Sequence, residues 1–319
     1  MTTPLRVASV GVHVLDTHVI GIESIPERND GQLVETIRMS PAGTAGGTAV
    51  VLARLGASVR SLGAIGADAA GDTLVALLGR EGVDTSGLVR VADQQTSASV
   101  IPVRPTGERP AWHCIGANGA LTPDLLGGLD AAALWDLDGA LPDVLHLGGP
   151  EFLGGPVAGD LLAAARSRGV TTSVDVLAPG DPDLLAWVVD ALPHTDHLLP
   201  NDEQVRGFTG CADLADGARA LLAAGAGCVA VTQGAKGALV VTADAPDRPV
   251  EVSALDLGDR LVDTTGCGDA FSAGYLRGIG LGRTPAEAAR LGCVVAAQVA
   301  QGLGTDAGEY SLESVLALA

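Results

Sequence analysis

Short apolar runs alternate with longer amphipathic segments through the second half of this 319-residue chain. From about residue 143, four runs predict short buried strands: VLHLG, GVTTSVDV, TDHLLPN and CVAVTQG. The segments between them predict helices at about 156–168, 182–192 and 213–224. Strands that alternate with helices are typical of α/β proteins, in which a parallel sheet is covered by helices on both faces.

The first half of the chain combines the same alternation of strands and helices with a second pattern. Its alternating part predicts a strand at 5–15, a helix at 44–56, a strand at 58–66 and a helix at 72–82. Two pairs of β-like stretches fall outside the alternation, at 17–25 with 33–39 and at 96–103 with 109–115. Turn residues separate the members of each pair, namely Asn29-Asp30-Gly31 and Pro105-Thr106-Gly107. We interpret the two pairs as a small sheet laid over the main body as a lid, formed by segments of about 17–39 and 96–115.

The end of the chain predicts two more helices, at about 269–280 and 284–300. The second opens on Thr284-Pro285-Ala286-Glu287, which has the residues of a helix N-terminus. The sequence shows neither a repeat of fixed period nor a low-complexity linker. We therefore predict one domain over residues 1–319, with the lid segments inserted in it.

Composition narrows the classes of partner. The chain has 38 Asp and Glu residues against 19 Lys and Arg, for a formal charge of −19. Nucleic acids and anionic membranes need a basic footprint, so neither is an expected partner. A single phosphate group remains a possible ligand, because backbone N–H groups bind phosphate without basic side chains. Five scattered cysteines without a CxxC pair, and no apolar run of transmembrane length, favour a reducing, cytoplasmic location.

The segment 261–278, LVDTTGCGDAFSAGYLRG, carries the most specific chemistry. Gly266, Cys267 and Gly268 form a small-residue turn directly before a helix that begins near Asp269. Such a turn directs N–H groups and the positive end of the helix dipole at one place, which suits a phosphoryl group. Asp269 is then placed to take a proton from an attacking hydroxyl. Taken alone, the four residues equally fit a tight turn in which Asp269 caps the helix.

The wider sequence around this turn supports the functional interpretation. The stretch 263–276, DTTGCGDAFSAGYL, resembles the C-terminal signature of the ribokinase-like (PfkB) sugar and nucleoside kinases, D-T-x-G-A-G-D, with Cys267 in place of Ala. Four further segments resemble motifs of that family in the same order: Gly11–Asp16 its opening strand, 42–56 its N-terminal signature, Leu199–Gln204 its N-x-x-E motif, and Val231–Gly237 its T-x-G-x-x-G nucleotide loop.

The resemblance implies a ribokinase-like fold, a doubly wound and mostly parallel sheet with helices on both faces and a small β-sheet lid that often makes a dimer contact. It implies that Asp269 is the general base beside an anion hole of Gly266, Cys267 and Gly268. The acceptor hydroxyls would be held by Asp16, Gly43 and Gly47. ATP and Mg²⁺ would lie at Asn201, Thr232, Gly234 and Gly237. A monovalent cation, usually potassium, would lie at Asp263 and Thr265.

The sequence departs from the family mainly in the substrate half. Gly47 stands where the signature has a sugar-binding Asn, and Val14 stands where ribokinases have another Asn. The segment Val14-Leu15-Asp16 is similar to that of adenosine-kinase-like members, so a nucleoside acceptor is an alternative to a sugar. Gln204 replaces the Glu of N-x-x-E, which leaves Glu203 as the neighbouring candidate for the Mg²⁺ network. A ligand-binding regulator on a kinase scaffold is the alternative outside enzymes.

A few other residues have two interpretations. The histidines at 13, 113 and 146 lie in apolar strand contexts, where packed side chains are the common case. Asp175, at the end of SVDV, fits an active-site role or a structural one. Cys267, at a helix N-terminus, is expected to have a lowered thiol pKa.

Overall fold

The computed structural model describes residues 4–104, 109–177 and 180–319, so the predicted turn at 105–107 lies outside the described residues. The strands are β1 (Arg6–Gly11), β2 (Val14–Ile20), β3 (Thr36–Ala42), β4 (Ser58–Gly66), β5 (Asp84–Val91), β6 (Ala98–Val103), β7 (Trp112–Cys114), β8 (Val144–Gly148), β9 (Thr171–Asp175), β10 (His197–Leu198), β11 (Cys228–Thr232), β12 (Ala238–Thr242) and β13 (Val250–Val252). The helices are α1 (Gly46–Arg54), α2 (Ala69–Arg80), α3 (Ala132–Trp135), α4 (Gly155–Ser167), α5 (Pro182–Leu185), α6 (Asp202–Thr209), α7 (Leu214–Ala223), α8 (Cys267–Gly280), α9 (Pro285–Val299) and α10 (Leu312–Leu316). No helix in these ranges is long and apolar enough to cross a membrane.

The larger sheet has the order β13-β12-β11-β10-β9-β8-β1-β4-β5. Its strands from β11 to β5 are parallel, and β12 and β13 add an antiparallel edge. The chain builds outward from β1 to β4 and β5 on one side, and from β8 to β11 on the other. The boundary between β1 and β8 is therefore the topological switch point, where open α/β sheets bind ligands at the carboxyl ends of their strands. The predicted doubly wound, mostly parallel fold is confirmed.

Two apolar clusters cover the two faces of this sheet. One contains Ala8 and Val10 of β1 with residues of α4 and α7, and the other contains Val7 with residues of α1, α8 and α9. Small residues let α8 and α9 approach closely, because a Cβ on Gly274 would lie 2.9 Å from the Cα of Gly292. Close packing of α8 fixes the position of its N-terminus, where the predicted anion hole lies.

A separate four-stranded sheet has the order β3-β2-β6-β7. We call it the small sheet; it is built from the two stray β-pairs of the sequence. The prediction of one strand over 5–15 was wrong, because the chain leaves the larger sheet after Gly11 and enters the small sheet at Val14. Gly11 has a φ of +128°, and a Cβ there would overlap the carbonyl oxygen of Gly148. The break thus requires glycine.

Other differences from the sequence predictions are local. The predicted helix at 182–192 is the short α5 followed by a 3-10 helix over Val189–His194 that contains Pro193. Proline lacks the N–H that an α-helix interior uses, so a tighter irregular turn replaces the helix. The strands β5, β12 and β13 and the helix α6 were not predicted, although β12 is an apolar run of the same length as the predicted β8.

Candidate active site

The turn at residues 43–47 lies over the switch point of the larger sheet. The carbonyl oxygen of Val12 accepts hydrogen bonds from the N–H groups of Ala45 and Gly46, both at 3.1 Å. Gly148, at the end of β8, packs so closely beneath the turn that a Cβ there would lie 2.5 Å from the nitrogen of Ala45. The predicted acceptor-binding turn is therefore fixed at the carboxyl ends of β1 and β8.

The N-terminus of α8 forms the second part of the site. Gly266 precedes the helix with a φ of +78°, a left-handed conformation that favours glycine, and a Cβ there would overlap Thr305. The N–H of Cys267 donates to the carbonyl of Thr264 at 3.2 Å. Among the described residues, nothing accepts from the N–H groups of Gly266 and Gly268. These two groups are the donors of this turn that remain available to an anion.

Asp269 lies in the first turn of α8, against the acceptor-binding turn. A Cβ on Gly47 would overlap the Oδ2 atom of Asp269. Burial, and then the negative charges of Asp175 and Asp16, raise the pKa of the Asp269 carboxyl well above its ordinary value. The fold has thus brought the predicted base, the anion donors and the acceptor-binding turn to one place.

Asp175 ends β9 and belongs to the same group of carboxylates. Ser272 of α8 donates a hydrogen bond from its Oγ to Asp175 Oδ2 at 3.0 Å. Burial raises the pKa of Asp175 to about 7, and the nearby charge of Glu151 acts in the same direction. An aspartate that gains a proton near neutral pH next to Asp269 favours the active-site interpretation of Asp175 over the structural one.

Asp16 lies on β2 of the small sheet and is 6% exposed. Burial raises its pKa, although a hydrogen bond from Ser99 and the proximity of His18 oppose this effect. The Ser99 Oγ also lies 3.0 Å from Nδ1 of His113, an exposed residue of β7. His13 and His146 are fully buried packed residues, as predicted, whereas His113 lies at the surface of the small sheet.

The residues predicted to bind the nucleotide lie at the carboxyl ends of β10 and β11. Asn201 caps α6 and forms a parallel bridge with Thr232, which ends β11. Gly234 and Gly237 form the tight turn between β11 and β12 with φ values of +55° and +105°. A Cβ on Gly237 would overlap the carbonyl oxygen of Val252, so the structure gives this glycine a packing role.

The N-x-x-Q segment contains two carboxylates, Asp202, which pairs with Arg206, and Glu203. The side chain of Gln204 accepts from the N–H of Asn201 at 2.8 Å and donates to the carbonyl of Val176 at 2.9 Å. Gln204 is therefore a capping residue of α6. Glu203 is exposed in the first turn of that helix, and its carboxylate is an oxygen ligand of the type that Mg²⁺ prefers. Among the described residues, no group of three His, Cys, Asp or Glu side chains is placed to hold a metal ion.

Asp263 and Thr265 are engaged by an arginine. Arg109 donates from Nη1 to Asp263 Oδ1 at 2.8 Å and to Thr265 Oγ1 at 2.6 Å, and from Nη2 to Thr264 Oγ1. These residues therefore do not fit an added potassium ion while the guanidinium is in place.

The expectation of a lowered thiol pKa at Cys267 is wrong. Burial, together with the charge of Asp263, raises the pKa of Cys267 to about 12. The thiol donates a hydrogen bond from Sγ to the carbonyl oxygen of Ala296 at 3.6 Å. A protonated thiol held in this way is not suited to act as a nucleophile.

Three residues of the site were missed by sequence reasoning, namely Arg109, Ser272 and Thr305. Arg109 and Thr305 contact the signature loop from positions about 155 residues before it and 40 residues after it. Only Ser272 carried a local signal, because it follows Asp269 by three residues and so shares its helix face.

Known proteins share the sequence pattern and the fold of this chain. The model of the pfkB family of carbohydrate kinases matches residues 6–311. An uncharacterised sugar kinase of Archaeoglobus fulgidus is 30% identical over 262 residues, covering 81% of this chain and 97% of that protein. The ribokinase of Haemophilus influenzae is 28% identical over 88% of this chain and 87% of its own. The structure of Arabidopsis thaliana ribokinase complexed with ribose and ATP superposes with a TM-score of 0.81 at 22% identity, over 99% of both chains. This chain belongs to the pfkB family of carbohydrate kinases.

Proposed function

We propose that this protein is an ATP-dependent kinase that phosphorylates a primary hydroxyl of a sugar or sugar-like molecule. The observation that carries the proposal is the meeting of Asp269, the free N–H groups of Gly266 and Gly268, and the turn at Gly47. A base, an anion hole and an acceptor-binding surface are what phosphoryl transfer to an alcohol requires.

Asp269 takes the proton of the acceptor hydroxyl as that oxygen attacks phosphorus. Its raised pKa brings the carboxylate nearer to the working pH, where a general base is most effective. The N–H groups of Gly266 and Gly268 donate to the phosphoryl oxygens as negative charge develops on them. Cys267 completes this turn through its backbone, with its own N–H directed at Thr264.

The acceptor is held by Asp16 from the small sheet and by the turn over residues 43–47. The Asp16 carboxylate accepts hydrogen bonds from acceptor hydroxyls, and Ser99 orients it. Asn201, Thr232 and Gly234 border the nucleotide, and the exposed carboxylate of Glu203 contributes to the binding of Mg²⁺. ATP supplies the phosphoryl group, and Mg²⁺ neutralises charge on its phosphates.

A nucleoside acceptor is the second candidate. The absence of a side chain at Gly47 removes the amide that the family signature would direct at a sugar, and Val14 gives the neighbouring strand an apolar character. The nucleoside kinase of Methanothermobacter thermautotrophicus is 26% identical over 92% of this chain, which keeps this candidate open.

We further propose that two copies of the chain associate through the outer face of the small sheet. Ile37, Met39, Val100 and Trp112 are exposed by 42–64%. The strand register places Met39 opposite Thr17, Thr17 opposite Val100, and Val100 opposite Trp112, so these apolar side chains share one face. An exposed apolar face of this kind is typical of an interaction surface.

The activity is tested by measuring ADP release with Mg²⁺·ATP over a panel of pentoses, hexoses, sugar acids and nucleosides. We expect one class of acceptor to raise ADP release far above the rate without acceptor. Turnover confined to nucleosides would favour the second candidate. ATP binding without turnover on any acceptor would contradict the kinase proposal and favour a ligand-binding regulator.

A further inference from the structure

Arg109 connects the small sheet to the loop that leads into the anion hole. It precedes β7 in the chain, and its guanidinium contacts one oxygen on each of the three consecutive residues Asp263, Thr264 and Thr265. Thr265 is followed directly by Gly266, whose N–H we assign to the anion hole. A cation from the segment that leads into β7 therefore bonds the side chains of the three residues directly before the catalytic turn.

The carboxylate of Asp263 is buried and fully engaged. Its side chain has no exposed surface. Oδ1 accepts from the N–H of Thr265 at 3.0 Å and from its hydroxyl at 2.9 Å, and Oδ2 accepts from the N–H of Gly304 at 3.2 Å. Burial raises the pKa of Asp263, whereas the hydrogen bonds from Thr265 and Gly304, and then the charge of Arg109, lower it. A buried carboxylate without a counter-charge is unfavourable, and Arg109 supplies that charge.

The other charged and titratable groups near Asp263 do not supply this cation, and Arg38 of β3 pairs with Asp306 instead. His18 places its Nδ1 4.0 Å from Asp263 Oδ2, but burial lowers the pKa of His18, so the ring is neutral at pH 7. Asp16 has the same charge sign as Asp263 and adds to the need for a cation. Among the described residues, Arg109 is the charged donor that bonds Asp263.

We propose that the Arg109 guanidinium is a built-in cation that takes the place of a monovalent metal ion at Asp263 and Thr265, so that the enzyme works without potassium. The three oxygens that contact the guanidinium are the type of ligand that a potassium ion would use. A potassium ion on Asp263 Oδ1 would meet the like charge of Arg109 at close range. Arg109 acts through Thr265 and Gly266 and is therefore a positioning residue; its effect on turnover rests on the proposed kinase activity.

The kinetic test compares the wild type, Arg109→Ala and Arg109→Lys in KCl, NaCl and choline chloride at equal ionic strength. We expect the wild type to give the same kcat/KM in the three salts. Arg109→Ala should lose about tenfold or more in choline chloride, because a buried carboxylate is left unpaired, and should regain part of it in KCl. Arg109→Lys should keep its charge and remain insensitive to potassium. Arg219→Ala, which removes an arginine paired with Asp216 on the surface of α7, is the matched control.

Thermal unfolding in the same salts provides a readout that does not depend on activity. The midpoint of the wild type should be equal in KCl and choline chloride. The midpoint of Arg109→Ala should fall in choline chloride and rise with KCl concentration, whereas Arg219→Ala should show neither change.

Two results overturn the proposal: a wild type that needs potassium for turnover or is specifically stabilised by it, and an Arg109→Ala variant that behaves like Arg219→Ala. If Arg109→Ala does not fold, the wild type and Arg109→Lys still decide. If no acceptor is phosphorylated by any variant, the kinase proposal fails, while the unfolding midpoints still test Arg109.

Discussion

Three aspartates set the chemistry of the site at the scale of single residues. Asp16, Asp175 and Asp269 come from the small sheet, the larger sheet and a helix, and each has a raised pKa because of burial. Like charges close together resist simultaneous ionisation, which raises the pKa of Asp269 further. The pKa of the proposed base therefore depends on the charges of Asp175 and Asp16.

The pH profile of turnover tests this coupling. In the proposed mechanism the ionised form of Asp269 is the base, so kcat/KM should rise with pH through its pKa. Asp175→Asn removes a negative charge that raises this pKa, so the acidic limb should move to lower pH. The measurement is kcat/KM against pH for the wild type, Asp175→Asn and the exposed control Asp160→Asn. An acidic limb that stays in place in Asp175→Asn would contradict the coupling.

The raised pKa of Asp175 also leads to a prediction of how the stability of the protein depends on pH. Its pKa is about 7 in the folded protein and 3.8 in an unfolded chain, so between these values the folded state binds more protons. Stability should therefore fall as pH rises from about 4 to 7, by at most about 4 kcal/mol from this group. Asp175→Asn should flatten that fall and unfold at a higher temperature than the wild type at pH 8. Equal pH dependence of the two unfolding midpoints would contradict the assignment.

Gly47 offers a steric test of the site. A Cβ at this position would overlap the Asp269 carboxylate and lie 3.0 Å from Cγ2 of Thr305. Gly47→Ala should displace the base and lower kcat by about tenfold to a hundredfold, because small misplacements of catalytic groups are costly. Gly79→Ala makes the same change in α2, where a Cβ meets open space, and should stabilise the protein by about 0.5–1 kcal/mol without loss of turnover. Full activity of Gly47→Ala would show that Asp269 is not held against this turn.

At the scale of secondary structure, several strands with clear apolar patterns were predicted correctly from the sequence. The strand at 58–66 and the strand VLHLG match β4 and β8 at both ends, because apolar runs bounded by breakers have clear limits. The stray β-pairs correctly indicated a second sheet. The break after Gly11 was missed, since the apolar pattern continues through it while the chain changes sheets.

Part of the candidate site was likewise predictable from the sequence, and part was not. The anion-hole turn and Asp269 are contiguous in sequence, so their relation was predictable. The closeness of Gly47 to Asp269, and of Arg109 to Asp263, depends on residues 154 to 222 positions apart and could only come from tertiary structure. A local pattern specifies which groups are present at a helix terminus, but not which distant side chains meet it.

At the scale of the whole molecule, the small sheet has two faces with different roles. Its inner side supplies Asp16 to the site, and its outer side presents the apolar patch of Ile37, Met39, Val100 and Trp112. We expect a dimer whose contact stabilises the sheet that carries Asp16, the proposed acceptor-binding residue.

The dimer is tested by charge substitution on this face. Met39→Glu places a carboxylate in the apolar patch and should shift the mass measured by sedimentation velocity from dimer to monomer. Leu318→Glu is the matched control, because Leu318 is also 50% exposed but lies outside the small sheet. A wild type that sediments as a monomer, or a Met39→Glu variant that stays dimeric, would contradict the proposed contact.

The acidity of the chain does not oppose a nucleotide ligand. The net charge of −19 is a sum over the whole chain, whereas the phosphoryl group is expected to bind locally to N–H groups at a helix N-terminus.

Asp269→Asn tests the central proposal most directly. The measurements are ADP release with the best acceptor, ATP binding by calorimetry and the unfolding midpoint. We expect kcat to fall by about 10²- to 10⁴-fold while ATP still binds. The unfolding midpoint should stay equal or rise, because a buried carboxyl with a raised pKa is removed. A variant that folds, binds ATP and turns over at a near-normal rate would contradict the assignment of Asp269 as the base.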